Sequence, residues 1–373
     1  MRRGGTPLAT GTLAVFLAAC GAGERAWDAR CEAELAALAA AARRAPANPT
    51  TPFLDWGALR NPVLALPDRS LKDQAIVYRD GAFTFFASTR FEGDEAAGAG
   101  DAARTGREPL FYRTRDFVTF EPLREPDGTG AGSPDLIESD GVWTMTFQRR
   151  SAHEGGATGL YFSTSRDLVS WSPARELGPE IVDPALRNLD AALARHGGHF
   201  ILGWKRVQSF VVTRSLGPEL DGRWLEPLPV TAPLKFGPNS LSHDWAENFQ
   251  FLEIDGRWHM VATAKAPGIP FSRHIYTGSH ESYLYTMDGS GDALEDWTHW
   301  RCKRLLEVPQ EDWNQAMHAN AGYLADWREH DGHFYLFYAG ANDHESFERR
   351  GHGKIGVVRS RDLVHWKLPG EMD

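Results

Sequence analysis

The chain has 373 residues, 42% hydrophobic and 24% charged, a composition that allows a sizeable globular core and excludes a disordered chain, a coiled coil and a polytopic membrane protein. The formal net charge of −10 argues against a nucleic-acid-binding surface. With 20 Phe, 13 Trp, 9 Tyr, 37 Gly and 22 Pro, the chain is rich in aromatic strand formers and turn residues, which predicts an all-β protein.

The first twenty residues read as a targeting segment. Arg2 and Arg3 form a short basic region, and Leu8 to Leu17 is a mostly apolar run, too short for a permanent membrane span. Leu17-Ala18-Ala19-Cys20 then resembles a bacterial lipoprotein lipobox, in which the cysteine is lipidated and becomes the first residue of the mature chain. Residues 1–19 are therefore expected to be removed, and the protein to be exported and held at the membrane by lipid on Cys20. Two cysteines remain, Cys31 and Cys302, and the sequence leaves their pairing open. Residues 26–45, rich in Ala, Glu and Arg, predict one helix, and Pro46 to Pro52 a linker. The expected organisation is signal 1–19, helix and linker 20–52, and one catalytic domain 53–373.

From residue 53 onward a unit recurs. A Gly turn precedes an aromatic-rich alternating strand at Asp80-Gly81, Asp140-Gly141, Gly197-Gly198, Asp255-Gly256 and Asp331-Gly332. The spacings between the second glycines are 60, 57, 58 and 76 residues. Each copy reads as a hairpin whose turn supplies the positive φ that a tight primed turn needs. A second element follows: a strand, a Ser/Thr-Arg-Asp turn and a strand ending in an aromatic. It is clear at Thr114-Arg115-Asp116, Ser165-Arg166-Asp167 and Ser360-Arg361-Asp362, and weaker at Phe210 to Trp224 and Tyr283 to Trp300. Two hairpins per unit make a four-stranded blade, and five units make a five-bladed β-propeller.

The inner strand of each blade lines a central channel, so polar residues just before each Gly turn ring one mouth. Asp73 precedes Gly81 by 8 residues, Asp190 precedes Gly198 by 8, Glu247 precedes Gly256 by 9 and Asp135 precedes Gly141 by 6. The fifth unit offers His318, 14 before Gly332. Each carboxylate opens an apolar strand, where a charge is costly unless it faces water or a partner. Several carboxylates converging on one funnel are the equipment of glycoside hydrolysis.

These units, with Lys72-Asp73-Gln74-Ala75-Ile76, Ser133-Pro134-Asp135, Leu189-Asp190-Ala191, Ala246-Glu247-Asn248 and His318-Ala319-Asn320 in that order, resemble the five-bladed glycoside hydrolases of families 43 and 62. Families 32, 68 and 117 are more distant relatives. The resemblance runs over about residues 55–370. It departs from the family pattern where Asn248 rather than Gly follows Glu247, and where the fifth-blade His lies farther upstream. The invertase-type nucleophile motif and its Glu-Cys pair are absent, which argues against the retaining, sucrose-acting branch.

The resemblance implies a fold and a set of roles. Asp73 would be the general base that activates water, Glu247 the general acid, and Asp190 the carboxylate that tunes and orients that acid. Asp135, Trp204, Trp245 and His318 are expected to contact substrate or support the funnel, and Phe249 lies near it. No cofactor is required. Calcium near His318 in the channel is the one ion the resemblance allows, and no metal ligand set is legible. The implied activity is an exported inverting glycosidase cleaving arabinofuranosidic or xylosidic bonds of a polysaccharide. Two alternatives stay open: a glycoside phosphorylase or transglycosylase on the same fold, and a non-catalytic glycan-binding propeller. The expected partner is a carbohydrate, the membrane is touched through the lipid anchor alone, and a monomer is expected.

Overall fold

The computed structural model describes residues 31–34, 36–40, 53–67, 69–91, 108–123, 132–150, 158–183, 185–207, 209–230, 246–265, 280–315, 317–341 and 353–372. The lipobox and Trp245 lie outside them. Five antiparallel sheets follow one another along the chain. The first blade is β1 (Arg69–Arg79), β2 (Ala82–Phe91), β3 (Glu108–Thr114) and β4 (Phe120–Pro122). The second is β5 (Gly132–Ser139), β6 (Val142–Arg150), β7 (Thr158–Ser165) and β8 (Arg175–Glu176). The third is β9 (Asn188–His196), β10 (His199–Arg206), β11 (Ser209–Arg214) and β12 (Leu228–Pro229). The fourth is β13 (Ala246–Ile254), β14 (Arg257–Lys265), β15 (His280–Met287) and β16 (Trp300–Leu305). The fifth is β17 (Met317–Trp327), β18 (His333–Ala341) and β19 (Lys354–Ser360). The inner strands β1, β5, β9, β13 and β17 each touch the next, and β17 returns to β1, so the ring is closed. The chain is the five-bladed all-β propeller that its repeat predicts.

Local chemistry explains the repeat. Asp80 and Gly81 have φ of 51° and 75°, and Asp140 with Gly141, Gly197 with Gly198, and Asp255 with Gly256 likewise put both turn residues at positive φ, as a two-residue primed hairpin requires. In the outer turns a hydroxyl and a carboxylate cap the backbone. Asp167 Oδ1 accepts from Val169 N at 2.9 Å and Ser170 N at 2.7 Å, while Ser165 Oγ accepts from Leu168 N at 2.8 Å. Asp116 with Thr114, and Asp362 with Ser360, repeat the pattern. Between blades the packing is apolar and aromatic. Phe83, Trp327 and Tyr335 fill the seam of blades five and one, Phe86 packs on Trp171 of blade two, and Phe251, Trp297 and Trp300 fill the seam of blades three and four.

The fifth blade departs from the expected four strands. Among the described residues its sheet has three, and the fourth position is shared by both ends of the chain. Leu64 pairs with Ile355, and Lys367 pairs with Arg359, both on the outer edge of β19. Between those registers the side chain of Asn61 completes the ladder: Oδ1 accepts from Val357 N at 2.9 Å and Nδ2 donates to Val357 O at 3.0 Å. The ring is thus closed by the N-terminal segment laid against the last strand, an arrangement that leaves less of that strand's edge unpaired.

Residues 31–34 and 36–40 are helical, within the stretch that predicts a helix. Cys31 is joined to Cys302 of β16, 271 residues away, and this settles the pairing the sequence left open. Glu34 adds ion pairs to Arg301 at 2.8 Å and Arg257 at 3.3 Å. The helix is therefore fastened to the fourth blade.

Candidate active site

Every inner strand breaks its pairing with its neighbour near its start, at the channel mouth. At each break one residue takes the left-handed backbone: Asp73 (φ 54°), Ser133 (50°), Asp190 (54°), Asn248 (54°) and Ala321 (52°). Asp and Asn tolerate this conformation better than most residues, and three of the five positions hold one. In the first four blades the bulge residue lies eight residues before the second turn glycine. In the fifth it lies farther off, because a one-turn helix, Arg328–Asp331, is inserted before Gly332. These bulges turn five side chains inward from five blades, which is how a propeller assembles a site from distant parts of a sequence.

Three of the bulge N–H groups are held from the blade before. Ser133 N donates to Ser88 Oγ at 2.8 Å, Asp190 N to Gln148 Oε1 at 3.2 Å and Ala321 N to Thr263 Oγ1 at 2.7 Å. The equivalent residue on the third blade is Lys205, paired with Leu189, and its ammonium cannot accept a hydrogen bond. Its Nζ instead lies 3.5 Å from Glu247 Oε2.

Asp73 is surrounded by donors. Asn248 Nδ2 donates to Oδ1 at 2.6 Å, Ser133 Oγ donates to Oδ2 at 3.2 Å, and Lys72 Nζ is 3.5 Å from Oδ1. Such a set favours the carboxylate, the form a base needs. Glu247 lies one residue before the bulge of its strand, level with Lys72 on the first. Lys72 Nζ is 3.1 Å from Glu247 Oε1, so the Asp73 and Glu247 oxygens it bridges are no farther apart than the sum of 3.1 and 3.5 Å. Asp190 is buried, and its carboxyl is raised above the usual range. Burial is the largest cause, followed by the negative charges of Glu247 and Asp73, with Lys72 and Lys205 opposing. Three carboxylates therefore share one mouth and cannot all ionise easily. Beneath them is a cavity of about 20 Å³ lined by Asp73, Asp135, Asp190 and Asn248 among others, about the room of one water.

Asp73, Asp190 and Glu247, drawn from three blades, come together as the sequence predicts. Two other expectations, for His318 and Trp204, change. The fifth ring position is Ala321 rather than His318. His318 lies three residues earlier, and its Nδ1 sits 3.0 Å from Glu281 Oε1 of β15. Trp204 is fully buried among Leu160, Phe162 and Leu202, with Nε1 donating to Asn188 Oδ1 at 3.1 Å, so it has no face to offer a sugar. Phe249 is buried and stacks on Phe210 at 3.7 Å. Asp135 is a strut: its Oδ2 accepts from Leu193 N at 2.9 Å on the next blade, and burial pushes its carboxyl up to about 7. Gln250 makes the matching tie from blade four to Leu324 of blade five. The sequence reading missed Ser133, Asn248 and Lys72. A strict offset of eight residues from each turn glycine finds the first two. Among the described residues no group of three or more His, Cys, Asp or Glu is placed to hold a metal ion.

No family model and no curated protein matches the sequence. Solved structures share the fold. The α-L-arabinofuranosidase from Lactobacillus brevis superimposes with a TM-score of 0.58 at 15% identity, covering 84% of this chain and 98% of that one. A thermostable family-43 glycoside hydrolase gives 0.58 at 12% identity, over 81% of this chain and 92% of its own. A family-62 hydrolase solved in complex with xylotriose gives 0.54 at 12% identity, over 79% and 92%.

Proposed function

We propose that this chain is a glycoside hydrolase that cleaves arabinofuranosidic or xylosidic bonds of a polysaccharide. The observation that carries the reading is the convergence of Asp73, Asp190 and Glu247 from three blades on one mouth, with donors collected around Asp73. The likeness to arabinofuranosidases and to a xylotriose-bound hydrolase supports the substrate class.

In this mechanism Asp73 takes a proton from a water, whose oxygen attacks the anomeric carbon as the glycosidic C–O bond breaks. The departing oxygen takes its proton from Glu247. Asp190, raised by burial and by its charged neighbours, keeps proton density beside Glu247 and orients it. An inverting pair stands about 6.5–9.5 Å apart to admit the water, against about 5–5.5 Å for a retaining pair. Lys72 Nζ reaches both partners, 3.5 Å from Asp73 Oδ1 and 3.1 Å from Glu247 Oε1. Proton NMR of the first-formed product tests the mechanism: inversion is expected, and retention overturns it.

The protein is further proposed to work outside the cytoplasm, anchored by lipid on Cys20. The Cys31–Cys302 disulfide supports an oxidising compartment. Cys20→Ser should abolish lipid labelling and release the protein from membranes; labelling that persists overturns the anchor.

A further inference from the structure

A second cavity, of about 250 Å³, lies between the fourth blade and the helix that carries Cys31. Ile254, which lines it, ends the inner strand β13, and Glu247 stands near the start of that strand. The cavity is therefore on the face opposite the channel mouth, about 20 Å away along the strand. Its volume is far more than one water needs and just below the ~300 Å³ at which small-molecule sites begin. Arg257 and Asp255 also line it, with side chains 45% and 41% exposed, so the cavity opens to solvent on their side.

The charged residues around this cavity already have partners. Glu34 pairs with Arg257 at 3.3 Å and with Arg301 at 2.8 Å, and Asp255 pairs with Arg328 at 3.0 Å. A neutral occupant suits such a wall. Two neutral polar groups are left over, side by side. His259 of β14 and Thr286 of β15 are opposite one another in register, both line the cavity, and they are 2% and 5% exposed. His259 Nδ1 lies 2.9 Å from Arg257 O. A carbonyl only accepts, so Nδ1 carries the proton and Nε2 is an acceptor. Burial pushes this imidazole down to about 4, which keeps it neutral. Among the described residues neither His259 Nε2 nor Thr286 Oγ1 has a hydrogen-bond partner. Buried polar groups are rarely left in that state.

We infer that this cavity is a second binding site that holds one neutral sugar ring, with His259 Nε2 and Thr286 Oγ1 taking two of its hydroxyls. The occupant must donate to Nε2 and exchange a hydrogen bond with Oγ1, and cross-strand partners stand about 5 Å apart. Adjacent hydroxyls on a ring meet both demands. Ala37, Leu38 and Ile254 line the cavity as well and offer apolar surface to the ring's C–H face. The Cys31–Cys302 bond fastens the helix that carries Ala37 and Leu38 to the blade, so this wall is in place before the ligand arrives. The site grips a glycan away from the carboxylates and takes no part in bond cleavage. It goes beyond the hydrolase reading and does not depend on it.

Nitrogen NMR of the histidine rings in the isotope-labelled full chain tests it, with xylose, arabinose and glycerol as probes. The His259 signals are assigned by their loss in His259→Phe. The Nε2 signal should move saturably with xylose or arabinose, at concentrations where glycerol leaves it in place. Thr286→Val should weaken that response about tenfold, and Thr286→Ser, which restores the hydroxyl, should keep it, which separates a lost hydrogen bond from a lost fold. Leu38→Trp, which fills the cavity, should abolish the response without lowering the melting temperature. A signal that neither sugar moves, one that glycerol moves as strongly, or a response that survives in Leu38→Trp overturns the inference. Aryl glycosides separate this site from the hydrolase reading. Equal hydrolysis by wild type and Leu38→Trp, with no His259 response to sugar, keeps the hydrolase and removes the second site. A His259 response without hydrolysis does the reverse.

Discussion

Lys72 and Glu247 form an ion pair of 3.1 Å that crosses the channel mouth from the first blade to the fourth. The two residues are 175 positions apart, yet each stands one residue before the bulge of its own inner strand. One lysine is thus shared between the proposed base and the proposed acid, and this sharing sets how Glu247 works.

Glu247→Gln removes the proton donor and keeps the shape. It should slow substrates with poor leaving groups by about 100-fold or more, and activated aryl glycosides far less, because only the former need the proton. Steady-state rates across a series of leaving groups check this; an equal loss across the series contradicts the role of Glu247 as acid.

Asn248 and Ser133 should act through Asp73, which they hold by hydrogen bonds of 2.6 and 3.2 Å. Asn248→Ala is expected to lower kcat about tenfold with little change in KM, and to move the acidic limb of the rate profile upward as the carboxylate loses a donor. A variant with an unchanged profile makes Asn248 a structural residue alone.

The disulfide should matter for stability and not for chemistry. Cys31 and Cys302 close 271 residues of chain, and Cys302→Ser is expected to cost about 2–4 kcal/mol, read as a lower unfolding midpoint in denaturant. Specific activity at 25 °C should stay as in wild type. A Cys302→Ser protein that stays folded at 25 °C but loses specific activity would place the helix at the site.

Asp167 and Asp362 are held to about 2, below the usual 3.8. In Asp167 the cause is first the Ser170 and Val169 N–H groups; in Asp362 burial opposes, and the His365 and Val364 N–H groups outweigh it. A carboxyl lowered in the folded state adds stability above its unfolded value and loses it as pH falls through the folded one. Stability should therefore decline from about pH 4 toward pH 2, and Asp167→Asn should flatten that decline. Parallel acid-unfolding curves for the variant and wild type would contradict this.

The fold was legible because its local signals are strong: paired positive-φ residues in the hairpins and hydroxyl–Asp caps in the outer turns repeat four times and three times. Asp73 and Asp190 were legible for the same reason, since they sit at a fixed distance from those turns. Glu247 was reached through an offset one residue too long, and His318 through one distorted by the helix inserted at Arg328–Asp331. Lys72 carried no signal, because what it does depends on which blades face each other across the channel. Nor did Leu64, Asn61 and Lys367, whose closure of the ring joins the two ends of the chain.

The central claim is that Asp73 activates water for glycoside hydrolysis. Release of reducing sugar from aryl arabinofuranosides, aryl xylosides and the matching polysaccharides, measured for wild type and Asp73→Asn side by side, tests it most directly. The account predicts release by the wild type on at least one of these substrates and a loss of about 100-fold or more in Asp73→Asn, for good and poor leaving groups alike. A wild type that releases nothing from any of them, or an Asp73→Asn protein that keeps its rate, would contradict it.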